Sequence, residues 1–110
     1  MFVLVSRTAA GPRAEVRDAG NLRQLHVEFR QVDDQVGASV LAEAGLGDVA
    51  DDHAWLDIAR LRQAGEDTQD WRDQFEAMLG YARRNDWVDA RGERVRAHIV
   101  RTGEEEERGR

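Results

Sequence analysis

The chain has 110 residues, a formal net charge of −6 and no cysteine, which is the size of one ordinary domain and leaves no room for a cleft between two. The missing thiols exclude a disulfide scaffold, a thiolate zinc site, an iron–sulfur ligand set and a cysteine nucleophile. All sixteen basic residues are arginine, which also excludes a Schiff-base lysine and a Walker-type phosphate lysine.

The longest apolar stretch, Met1 to Val5, is too short for a membrane span or for the hydrophobic region of a signal peptide, so a cytoplasmic setting is expected. An arginine-only basic set suggests GC-rich coding and a bacterial origin. Phe2 to Ser6 reads as a strand, with Val3 and Val5 β-branched. Pro12 after Gly11 marks a loop or the start of an edge strand, and Asp18-Ala19-Gly20-Asn21 is a turn signal. Leu25, Val27 and Phe29 then alternate with His26, Glu28 and Arg30, the two-residue period of a strand with one dry face.

Val36 to Ala44 fits a helical face through Val36, Val40, Leu41 and Ala44 and, through Gly37, equally fits the return arm of a hairpin. Residues 45–52 have loop chemistry; His53 to Ile58 reads as a short strand and Ala59 to Gln63 as one helical turn. The best helix spans 68–84, with Trp71, Phe75, Met78, Leu79 and Ala82 on one face. Its acids, Asp67, Asp70 and Asp73, lie at the start and Arg83 and Arg84 at the end, matching the helix dipole. Trp87-Val88, a turn over residues 89–92, and Val95 to Ile99 make a terminal hairpin, with Val95, Ala97 and Ile99 facing in and Arg94, Arg96 and His98 facing out.

These elements predict an α+β domain over residues 1–101, a two-layer sandwich of a small antiparallel or mixed sheet covered by one main amphipathic helix. Residues 102–110 carry four adjacent glutamates and no apolar side chain, and are expected to form a disordered acidic tail.

The acidic excess is uniform, about −2 in each of residues 1–50, 51–101 and 102–110. Neither a nucleic acid nor a membrane surface is therefore the expected partner. Gly45-x-Gly47 is the nearest approach to a phosphate loop, but Asp48, Asp51 and Asp52 follow it and a third glycine does not. His26, His53 and His98 fall in three different segments and lack a ligand spacing, so no metal and no cofactor is expected. Asp57 lies within an apolar stretch, where burial would make it a proton carrier; facing solvent or capping the turn that follows is the simpler role. Ser6 and Ser39 have no nucleophile context, and no catalytic residue is assigned.

The most suggestive feature is the arginine stripe of the last strand. Arg94, Arg96 and His98 beside Trp87 could hold a carboxylate or phosphate, with the indole as a stacking surface; Arg91 and Arg101 flank them. An ordinary ion-paired face, with Glu28 or Glu93 as partners, is the competing reading. The expected function is a binding or protein-interaction module without intrinsic catalysis, its partner a protein, a small anion or a second copy of the chain. The alternative is a small-molecule enzyme or carrier with a pocket between sheet and helix, using Asp57, His26 or His98 as acid–base groups.

Overall fold

The computed structural model describes residues 1–102. In chain order they form strands β1 (Phe2–Thr8), β2 (Gly11–Arg17) and β3 (His26–Arg30), helix α1 (Asp34–Glu43), strands β4 (Gly47–Ala50) and β5 (His53–Asp57), helices α2 (Ile58–Ala64) and α3 (Gln69–Arg84), and strand β6 (Arg94–Thr102). The strands make one six-stranded sheet in the order β2-β1-β3-β6-β5-β4. It is mixed: β1, β3 and β6 run parallel, β2 pairs antiparallel with β1, and β5 pairs antiparallel with both β6 and β4. The fold is α+β, with three helices: the expected main helix, a second that extends the helical turn read at residues 59–63, and a third over the segment 36–44 that the pattern left open. The expected tail lies outside the described residues apart from Thr102, which ends β6.

Pro12 sits in β2, an outer strand of the sheet, where a missing N–H need not break a ladder. Asp18, in the left-handed region at φ 53, and the Asn21 amide bonded to the Asp18 carbonyl at 3.0 Å turn the chain past the end of β1, so that β3 lies on its other side. Residues 36–44 resolve as helix because Asp33 caps α1, accepting from the Val36 amide at 2.8 Å. Gly37 is helical and serves close packing: a Cβ there would stand 2.5 Å from the Phe29 ring.

Residues 45–52, expected as a loop, contain β4. Gly47 (φ +156) is a glycine of close approach, since a Cβ would meet the Trp55 carbonyl oxygen at 2.1 Å. Asp51 (φ 58) and Asp52 form the two-residue turn between the paired Ala50 and His53.

Asp57 caps α2 through the Arg60 amide at 3.0 Å, and Thr68 caps α3 through the Trp71 amide at 3.1 Å. On α3, Trp71, Phe75, Leu79 and Ala82 are buried, whereas Met78, expected beside them in the core, is only partly buried. Trp71 stacks on Phe75 at 4.9 Å and donates its indole N–H to the Ala19 carbonyl at 2.7 Å, tying α3 to the β2–β3 connection.

Buried residues of all three helices join one cluster with the inward side chains of the strands, among them Val3, Val27 and Ile99 in a single cross-strand row. Each such aliphatic or aromatic side chain contributes roughly 1.5–3 kcal/mol when fully buried, and this cluster holds the sheet and helices together. Among the described residues, no helix is long and apolar enough to cross a membrane.

Candidate functional site

The site is built where β6 changes neighbours. Beyond His98, β6 pairs with β3, starting at His26. Before it, the same edge of β6 is met by the segment leaving α3: Val88 bridges Val95, and the Arg96 amide donates to the Trp87 carbonyl at 2.7 Å. The change of partner leaves a notch beside Arg96 and His98.

Local chemistry fixes the Trp87 segment. Asp86 at φ 60 reverses the chain out of α3, and the Trp87 amide returns to the Ala82 carbonyl at 2.8 Å. The following turn is organised by Asp89, whose Oδ1 accepts from the Glu93 amide at 2.9 Å and the Arg94 amide at 3.2 Å. The Glu93 amide, with smaller help from the Arg94 and Gly92 amides and the Arg94 charge, holds the Asp89 carboxyl below its ordinary pKa. The hairpin foreseen from the sequence is present in this short form, and it sets Trp87 opposite Arg96.

The notch opens into a pocket of about 210 Å³. Strand β6 supplies Val95, Arg96 and His98, and β5 supplies His53. The segment before β3 adds Arg23 and Leu25, α3 adds Met78, Tyr81 and Ala82, and Trp87 completes the wall. The Arg96 guanidinium lies 5.9 Å from the Trp87 ring centroid, within cation–π range. Tyr81 meets Trp87 edge to face at 5.7 Å, and His53 meets His98 in the same manner at 6.4 Å. Tyr81, 53% exposed, is the most exposed large hydrophobic side chain among the described residues, which places an aromatic ring at the pocket mouth.

Of the candidate binding residues, the structure brings Trp87, Arg96 and His98 together around this pocket. Arg94 points elsewhere, into a salt bridge with Asp48 of β4. Hydrogen bonding to Asp48, then the Asp48 charge, raises the Arg94 pKa further. The flanking arginines are engaged too: Arg91 faces Glu93 at 3.8 Å, and Arg101 grips Asp34 through two bonds of 2.7 and 2.9 Å. Glu28 pairs with Arg30 at 2.6 Å. Arg23 and Arg96 have no ion-pair partner among the described residues.

The three histidines, scattered in sequence, stand in one row. Register pairs His26 with His98 and His98 with His53, and Phe2 extends the row across β1. His26 stacks on Phe2 at 4.9 Å and uses Nδ1 on the Gln24 carbonyl at 3.0 Å; since a carbonyl only accepts, Nδ1 carries the proton. Among the described residues, no group of three or more His, Asp or Glu side chains is placed to hold a metal ion. Asp57 is a helix cap outside the pocket. Arg23 and Tyr81 carry no ligand-binding signal in the sequence, and His53 is there only one of three scattered histidines; strand register and the return of α3 bring all three residues to the notch.

No protein-family model, curated protein or solved structure matches the chain.

Proposed function

We propose that the chain is a binding module for a small organic anion, seated between the sheet and α3 in the pocket of Arg23, Arg96, His53, His98, Trp87 and Tyr81. The observation that carries this reading is the local inversion of charge. In a chain of net charge −6, this pocket is lined by two arginines without ion-pair partners and two histidines, and no carboxylate is among its described lining residues. A cationic concavity with apolar walls concentrates anions even on an acidic protein.

The fold suits the role if read as two layers, the helices over one sheet face, with the pocket at the seam. The enzyme reading is weaker. Of its three acid–base candidates, only His98 lines the pocket; Asp57 caps α2, and His26 is stacked on Phe2.

The test is a tryptophan-fluorescence and calorimetric titration with a panel of small organic anions and their uncharged analogues, repeated on R96Q. A charge-assisted hydrogen bond contributes roughly 1.5–3 kcal/mol, so R96Q should weaken binding about 10- to 100-fold, and added salt should weaken it further. Absence of saturable binding by any anion, or binding indifferent to R96Q, rejects the reading.

A further inference from the structure

Resting on that reading, we infer that the anion this pocket takes is a dianion attached to one flat ring, an aryl monophosphate in chemical class.

The charge count comes first. Two guanidiniums, Arg23 and Arg96, line the pocket without ion-pair partners among the described residues, and the sheet carboxylates Asp48 and Glu28 are engaged by other arginines, Asp48 by Arg94 and Glu28 by Arg30. A monocarboxylate balances one of the two. A phosphate monoester, about −1.5 to −2 at neutral pH with three acceptor oxygens, balances both. Guanidinium forks suit those oxygens, and His53 and His98 bring ring N–H donors to the same rim.

The walls specify the other half of the ligand. Trp87 and Tyr81 stand edge to face at 67°, forming an aromatic corner, and Leu25 and Met78 continue the apolar surface. A flat ring can lie against one aromatic face and meet the other at its edge. Size sets the upper limit. The pocket volume of about 210 Å³ falls below the ~300–1,000 Å³ of sites for drug-sized ligands. One ring bearing one phosphate matches this scale more closely than a dinucleotide does.

The experiment uses the full chain at pH 7.5 and low salt, with phenyl phosphate, benzoate and inorganic phosphate as probes in calorimetric titrations. Phenyl phosphate should bind at least tenfold more tightly than benzoate, which keeps the ring but has one charge, and than inorganic phosphate, which keeps the charge but has no ring. R23Q and R96Q should each reduce the preference over benzoate, and W87L the preference over inorganic phosphate, with circular dichroism confirming that each variant is folded.

Benzoate binding as tightly as phenyl phosphate overturns the dianion while leaving the anion-binding module standing. Inorganic phosphate binding as tightly as phenyl phosphate overturns the ring. If none of the three probes, and no other organic anion, binds, the module itself is rejected. A phosphotyrosine peptide serves as a last arm: affinity above that of phenyl phosphate places the aryl phosphate on a protein, and equal or lower affinity places it on a free small molecule.

Discussion

The two faces of the sheet are made from the same strands and differ by one residue of phase. Val3, Val27 and Ile99 occupy one cross-strand row and are at most 3% exposed. One residue earlier on each strand, Phe2, His26 and His98 occupy the next row on the opposite face, where none is buried. The dry row is aliphatic and could be exchanged for other aliphatics of equal volume. The wet row and the pocket beside it concentrate histidine, tryptophan and arginine. Stability rests chiefly on the dry row, while the binding chemistry gathers in the wet row and in a pocket that reaches the core at Val95 and Ala82, and substitutions should separate the two.

The largest effect should come from the dry side. Phe75 is fully buried, stacked on Trp71 and covered by the Arg62 guanidinium at 5.1 Å. F75A should lower unfolding free energy by ~3–5 kcal/mol in denaturant titration; a loss below ~1 kcal/mol would remove Phe75 from the core. Next is G47A, which forces a methyl group against the Trp55 carbonyl where β4 meets β5. Overpacking of this kind costs ~1–3 kcal/mol, and an unchanged denaturation midpoint would show that β4 pairs differently.

On the wet side, H98Q at an exposed position should stay within ~0.5 kcal/mol of the parent in stability, and R96Q, which gives up the contact with Trp87, should cost no more than ~1 kcal/mol while it weakens anion binding. Loss of several kcal/mol in either variant would dissolve the division between faces. The smallest effect is a pH response. Hydrogen bonds from Arg101 hold the Asp34 carboxyl below its ordinary value. A depressed carboxylate stabilises the fold above its unfolded pKa near 4 and loses that contribution as pH falls through the folded pKa. The melting-temperature gap between the parent and D34N should therefore be widest near neutrality and close in acid; a gap constant to pH 2 would refute the pairing.

What the sequence disclosed follows the range of each interaction. Strand β3, helix α3 and the inward face of β6 depend on period alone, and their apolar residues repeat at the spacing the element requires. Helix α1 stayed ambiguous because Gly37 weakens a helix in isolation, and the ring of Phe29 that requires it comes from another element. Strand β4 was hidden for the same reason: Gly47 signals a loop until the Trp55 carbonyl is brought against it.

The site divides likewise. Trp87, Arg96 and His98 are linked by a local hairpin and were legible together. Arg94 shares their alternation but leaves the group because Asp48, on the unforeseen β4, claims it. His53 required the β5–β6 register, and Arg23 and Tyr81 required the notch.

The position of β6 has a consequence for how the chain comes to be folded. It is the last of the described strands in sequence and lies in the interior of the sheet, joining β3 on one side to β5 on the other. Before it docks, β2-β1-β3 and β5-β4 are separate ribbons, each with an unsatisfied inner edge, so synthesis must deliver β6 before the sheet can close. Closure then depends on contacts between distant parts of the chain, which slows folding. In that interval the inner edges of β3 and β5 are templates for strands of other molecules. Newly made protein is thus most prone to aggregate just before β6 docks.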